Sequence, residues 1–238
     1  MHAIATALGY QSLLLKTAHA TRDRVRHEIT SAATELSPGD IFLLTYAGHG
    51  NTWKDDKSDE DDGFDESWCL YDGEIIDDEL GALWRQFQRG VRVVVISDSC
   101  HSGTITRDIG GSPLGTDTMT GVERAMPGDV SAALRRAQRS VYRERKADAR
   151  SQSNDAIAST VLSISGCRDD EKSREIDGHG VFTRALMKVW DDGHFSGDYK
   201  SLREQIVMQM PANQTPQLNV IGDMMLDLSA QPALRPEV

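Results

Sequence analysis

The 238 residues carry 37 acids against 26 bases, a formal charge of −11 with a pI near 5.0, which excludes nucleic acid as the expected partner and favours cationic ones. A 39% hydrophobic content allows a proper core, and no apolar run approaches the ~20 residues of a membrane helix. Three cysteines without close spacing (Cys69, Cys100, Cys167) leave no zinc motif, and with no secretory signal in view they predict a cytoplasmic protein in a reducing compartment.

In chain order, residues 2–9 read as the tail of a helix closed by Gly9, and Leu13–Leu15 as a short strand. Thr21 is placed to cap a helix through Leu36, with Val25, Ile29, Ala33 and Leu36 as its apolar stripe. After a turn at Ser37–Asp40 comes the run Ile-Phe-Leu-Leu-Thr-Tyr-Ala-Gly-His-Gly, which ends at His49 and Gly50. Residues 51–66 break the pattern with eight acids around Lys57. Such a run is either a solvated loop or a calcium site, and its spacing does not fit an EF-hand loop. Asp77 and Asp78 open a helix through Arg89 that turns Leu80, Leu83, Trp84 and Phe87 to the core.

A second apolar run, Val-Arg-Val-Val-Val-Ile, stops abruptly at Ser97-Asp98-Ser99-Cys100-His101-Ser102-Gly103. Residues 108–130 are rich in Gly, Pro, Thr and Ser, and residues 131–150 read as a helix carrying seven of the chain's bases, the one cationic zone of an acidic protein. A strand at Ser159–Ser165, a loop from Gly166 to Gly180, helices at Val181–Asp191 and about Tyr199–Met210, and a strand at Gln217–Ile221 complete the chain. Alternating strands and helices predict an α/β fold with a mostly parallel central sheet flanked by helices and right-handed crossovers.

The runs ending at His49 and Cys100 both read as strands buried on both faces, each delivering one reactive side chain at its C-terminal end, where open α/β sheets place their sites. A thiol requires a base to become a thiolate near neutral pH, and an imidazole supplies one. A cysteine hydrolase is expected.

These residues resemble the caspase-like cysteine peptidases, and among them the metacaspases. His49 in Tyr-Ala-Gly-His-Gly precedes Cys100 in Asp-Ser-Cys-His-Ser-Gly by 51 residues, the caspase spacing. Caspases have glutamine two before the cysteine, where this chain has Asp98. The resemblance implies that Asp98 lines the primary specificity pocket and selects Arg or Lys, as a buried carboxylate seeking a cationic partner would. Ala47 stands where the family commonly has a pocket-lining serine. Matching the stretch Asp62–Glu66 and Ile76–Glu79 to calcium-activated metacaspases implies Asp65, Asp77 and Asp78 as ligands. The remaining ligand position, seven past the cysteine, is Arg107 here, with Asp108 one place late. Ser165–Asp169 and Gln214–Gln217 also look like the family's C-terminal part. The family's usual first strand, normally central in the sheet, and its second pocket acid are not matched.

The resemblance implies one caspase-like peptidase domain over residues 1–238: a large-subunit-like part (1–107), a linker loop (108–152) where family members are often cut, and a small-subunit-like part (153–238). Cys100 is the expected nucleophile and His49 the general base, with backbone N–H groups at Cys100 and beside Gly50 as oxyanion donors. His101 is expected to be a bystander and His179 structural, with Cys69, Cys167 and the four tryptophans in packing roles. The expected activity is a monomeric endopeptidase on protein or peptide substrates with Arg or Lys at the cut site, with calcium as activator rather than catalyst and self-cleavage within 107–150. The alternative is a catalytically degenerate caspase-like module acting as a calcium-responsive interaction domain. A relative with Asp specificity is disfavoured by Asp98.

Overall fold

The computed structural model describes residues 1–54, 64–99, 122–123, 126–151, 156–168, 171, 173–223 and 227–235. Its central sheet holds the apolar runs. Strands β1 (Ile41–Ala47), β5 (Arg92–Asp98) and β7 (Thr160–Ser165) run parallel in that order, and β10 (Gln217–Gly222) closes the sheet antiparallel to β7. The expected mostly parallel α/β sheet is present.

Alternation along β5 divides the core between the two faces. Val94 and Ile96 face Leu162 and Ile164 together with Phe182, Leu186, Tyr199, Leu202 and Ile206, from α5 (Val181–Trp190) and α6 (Tyr199–Gln209), and with Ile4 of α1 (His2–Ala7). Val93 and Val95 face Ile29 and Ala33 of α2 (Arg22–Glu35) and Leu80, Leu83 and Trp84 of α3 (Asp77–Trp84). Helices on both faces bury β5 completely, as the continuous apolar run requires.

Local signals mostly hold. Thr21 Oγ1 accepts from the Arg24 N–H to cap α2. Gly9, at φ +82°, follows α1 in a Schellman arrangement, with Tyr10 N–H bonded to Ala5 O and Gly9 N–H to Thr6 O.

Four expectations need correction. Leu13–Leu15 form no strand: a strand requires a hydrogen-bonding neighbour, and Leu13 and Leu14 are instead 55% and 48% exposed. β1 is the sheet's edge among the described residues, so its side chains are half-buried or exposed rather than buried on both faces. Helix α3 ends at Trp84, and Phe87 reaches the core from the turn that follows.

The fourth concerns residues 51–66. Two strands overlap them, β2 (Gly50–Lys54) and β3 (Phe64–Leu70), which pair antiparallel and, with β4 (Gly73–Ile76), make a separate three-stranded sheet. Asn51, Thr52, Trp53 and Asp65 are buried there, so these flanks are not a solvated loop. Residues 55–63, with most of the acids, lie outside the described residues. A further small sheet joins β6 (Val122–Glu123) to β8 (Arg174–Ile176) and β9 (His179–Gly180).

Helix α4 (Gly128–Ser151) covers the predicted basic segment. It is not a solvated helix. Ser131, Tyr142, Lys146 and Ala149 are buried, and the Tyr142 ring stacks on Trp53 at 4.5 Å with 6° between planes. Ser131 Oγ donates to Asn51 Oδ1 at 2.5 Å and Arg135 to Thr52 O at 3.1 Å, so α4 lies along the small sheet.

Candidate active site

The C-terminal ends of the parallel strands form one edge, and the register fixes what meets there. Ala47 pairs with Asp98 as the last residues of β1 and β5. His49 lies two residues beyond Ala47 in the chain, and Cys100 two beyond Asp98. Cys100, like Asp108 and Arg107, is outside the described residues. Ala47 and His49 are exposed, whereas Gly50 is buried at the start of β2, and its carbonyl accepts from the Met126 N–H.

The turn carrying His49 is built around Tyr46. Its ring stacks on Trp68 at 4.6 Å, and its hydroxyl lies 2.7 Å from His49 O and 2.9 Å from Cys69 O. The Cys69 N–H donates to the same His49 carbonyl at 2.9 Å. Gly48 has to lack a side chain here, because a Cβ would meet the Tyr46 hydroxyl at 2.5 Å. The backbone that presents the imidazole is thus tied to β3.

Around Asp98 the site is dry. This carboxylate, 2% exposed, accepts from Ser173 Oγ at 3.0 Å and from the Thr183 N–H at 3.0 Å, and also from the Thr183 hydroxyl. Thr183 lies in the first turn of α5, where free N–H groups and the helix dipole both favour an anion. Gln214 Nε2 donates to Gly166 O and to Ser173 Oγ, tying the end of β7 into the same network. The next residue, Ser99, is 1% exposed; its hydroxyl meets Ser97 Oγ at 2.8 Å and its carbonyl accepts from the Cys167 thiol at 3.6 Å. Ser99, which precedes Cys100 in the sequence, is thus held through both its hydroxyl and its carbonyl.

The remaining thiols are packed. Cys167 is fully buried, and Cys69 is held against the Glu74 carboxylate at 3.8 Å. Burial, and then the Glu74 charge, push the Cys69 thiol well above its usual range, so it stays protonated. His179 is exposed in β9, paired with Ile176.

The expected metal residues divide. Asp65 on β3 is fully buried, and both its oxygens accept from Lys146 Nζ, at 2.5 and 2.6 Å, while the Tyr142 hydroxyl also donates to it. Asp78 Oδ2 lies 3.7 Å from Lys146 Nζ and 3.5 Å from Arg150 Nε. Asp77 Oδ1 accepts from the Asp78 N–H at 2.9 Å at the start of α3. Carboxylates on β3 and α3 are the donor type calcium takes. Among the described residues, however, no three acids, histidines or cysteines gather as a metal set. With the ammonium of Lys146 on Asp65, the site as built does not fit calcium.

Sequence reasoning passed over Ser173 and Thr183, the supports of Asp98, and Tyr142, Lys146 and Arg150, the occupants of the acidic site. The last three carry a signal, since spacing of four and eight puts them on one helix face. Ser173 and Thr183 carry none, because only the folded loop brings them to Asp98.

Among the described residues no helix is long and apolar enough to cross a membrane. A family model for the metacaspase peptidase C14 domain matches residues 5–108. Metacaspase-1 of Scheffersomyces stipitis is 29% identical over 191 residues, covering 70% of this chain and 47% of that protein. Metacaspase-2 of Arabidopsis thaliana is 45% identical over 90 residues, covering 36% of this chain and 22% of that one. The chain thus spans less than half the length of these curated relatives. A crystal structure of a Geobacter sulfurreducens protein, 39% identical, superposes with a TM-score of 0.84 over 100% of this chain and 87% of that one. The fold is caspase-like.

Proposed function

Because the chain belongs to the metacaspase family of peptidases, we propose that it is a cysteine endopeptidase cutting after Arg or Lys, with Cys100 as nucleophile and His49 as general base. The carrying observation is the parallel register of β1 and β5, which pairs Ala47 with Asp98 and leaves His49 and Cys100 each two residues further on. In the proposed reaction His49 takes the thiol proton and the thiolate forms a bond to the scissile carbonyl carbon. Backbone N–H groups at Cys100 and beside Gly50 receive the oxyanion. His49 then passes the proton to the departing amine, leaving a thioester that water hydrolyses to the acid, regenerating the thiol.

Asp98 is proposed as the selector of basic side chains. Its burial supports this, since a carboxylate removed from water gains strongly from a cation brought within reach. The proposed working state is a monomer in a reducing compartment such as the cytoplasm, in keeping with the free thiols Cys69 and Cys167. Calcium is proposed as a regulator that takes no part in bond making, although Asp65, Asp77 and Asp78 do not receive it while Lys146 sits on Asp65. Self-cleavage is proposed at Arg107 or Arg124, the basic residues of 107–127, because the other bases up to 150 lie in docked α4.

The test is hydrolysis of Arg-, Lys- and Asp-ended fluorogenic peptides, with calcium or chelator, by the wild type and Cys100→Ala. Cleavage after Arg and Lys that disappears in the variant supports the proposal. A folded wild type that cleaves none of them refutes it in favour of an interaction module.

A further inference from the structure

Helices α2, α3 and α4 line a cleft of about 380 Å³, within the range of small-ligand sites, and three arginines meet in it. Two acceptors bring them together. Oε1 of Glu79, a residue only 3% exposed, receives Arg22 Nη2 at 2.6 Å and Arg26 Nη1 at 2.9 Å. The Glu74 carbonyl receives Arg22 Nε at 2.6 Å and Arg145 Nη1 at 3.3 Å. Arg22 is thereby the middle member of a row of three guanidiniums that leads from α2 to α4.

Their charge is not balanced in place. Glu79 offers one buried carboxylate to two arginines, and Arg145 meets a neutral carbonyl rather than an acid. The Glu74 carboxylate is already taken up by Asn51 Nδ2 and Trp53 Nε1. Asp23 and Asp148 on the wall of the cleft, and Asp72, which accepts the Arg22 backbone N–H, are exposed to water. Among the described residues none of these three acids forms an ion pair with the arginines, so solvent screens them. Burial, and next the Arg22 charge, lower the proton affinity of the Arg145 guanidinium. An anion entering the cleft relieves that repulsion.

We propose that this cleft is a phosphoryl-anion site, in which Arg26 of α2 and Arg145 of α4 clamp a ligand of more than one phosphate group while Glu79 orients Arg22 and Arg26. Planar guanidinium forks match phosphate oxygens in pairs, which a point-charge lysine does not. The volume equals that of roughly a dozen waters at about 30 Å³ each, more than a single phosphate fills. The site uses nothing from the sheet edge carrying His49, so the inference stands apart from the activity proposed above. Because the clamp joins α2 to α4, binding adds its own free energy to the docking of α4.

The experiment is calorimetric titration of sodium pyrophosphate, and separately of inorganic phosphate, into the full chain carrying Cys100→Ala, which keeps the linker uncut. The same chain bearing Arg145→Gln, Arg26→Gln or Arg136→Gln is compared, Arg136 being an exposed base of α4 outside the cleft. Expected is pyrophosphate binding at least tenfold tighter than phosphate, weakened at least tenfold by Arg145→Gln and by Arg26→Gln and changed less than twofold by Arg136→Gln. Amide exchange within 128–151 is expected to slow at least threefold at saturating pyrophosphate. No binding of pyrophosphate, or an equal loss in Arg136→Gln, overturns the site. Equal affinities for the two anions overturn the reading of more than one phosphate group. Should Arg145→Gln fail to fold, Arg26→Gln decides, and unchanged affinity in that variant overturns the clamp.

Discussion

Replacing Asp98 by Asn separates two roles of one carboxylate. In the folded chain one oxygen accepts both the N–H and the hydroxyl of Thr183 while the other accepts from Ser173. Asparagine preserves the shape, and its carbonyl oxygen can keep the Thr183 pair. Its amide group then faces Ser173 Oγ, which already receives Gln214 Nε2 at 3.3 Å, so the serine hydroxyl has to turn away. What disappears is the charge. Hydrogen bonds to an ionised group contribute about 1.5–3 kcal/mol against about 1 for neutral ones. An anion in the first turn of α5 adds about 0.3–1 kcal/mol. Asp98→Asn is therefore expected to cost about 1–3 kcal/mol in urea unfolding, with native circular dichroism retained. On peptides, kcat/KM for Arg- and Lys-ended substrates is expected to fall at least tenfold relative to uncharged ones. A stability change below about 0.3 kcal/mol would refute the anchoring of α5. An unchanged Arg preference in a folded variant would refute the pocket role alone.

Gly48→Ala places a methyl 2.5 Å from the Tyr46 hydroxyl, and overpacking of this kind typically costs about 1–3 kcal/mol. Adding Tyr46→Phe is expected to recover part of that loss in thermal melts, and two additive losses would count against the clash. Trp53→Ala removes the ring under Tyr142 and the Nε1 bond to Glu74 at 2.6 Å, so trypsin is expected to cut within 128–151 faster than in the wild type; equal rates would show that α4 is held by other contacts. Tyr199 is buried in the α6 core, which raises its hydroxyl to about 12. With an ordinary value near 10 in the unfolded chain, its contribution is complete below pH 10 and is lost as pH climbs through 12, about 2–3 kcal/mol in all. Stability measured between pH 9 and pH 12 is expected to fall less steeply in Tyr199→Phe.

How far the sequence disclosed this arrangement depended on whether a signal was local. Thr21 and Gly9 were legible because caps act within four residues. The β5 run was legible because a strand covered on both faces has to be apolar throughout. Ile41–Tyr46 reads the same way, yet β1 is an edge, a distinction that only the neighbour across the sheet can make. Leu13–Leu15 misled because apolar composition does not supply a hydrogen-bonding partner. Asp65 was identified through family resemblance, but its burial on β3 was hidden by the acids around it, which suggested solvent.

Asp65, at the end of the acidic run near 51–66, meets the basic helix near 131–150 in the fold. In an acidic chain, a helix that carries seven of the 26 bases has an electrostatic reason to dock against carboxylates. Solvent screening would make surface pairing weak, worth up to about 1 kcal/mol each. At Asp65 screening is absent, because that carboxylate is fully buried and Lys146 nearly so. The same burial makes removal of Lys146 alone costly, on the order of 3–5 kcal/mol for an abandoned buried charge, unless another cation replaces it. Helix α4 is thus docked by a buried ion pair together with the Tyr142–Trp53 stack and the Ser131 and Arg135 bonds to β2.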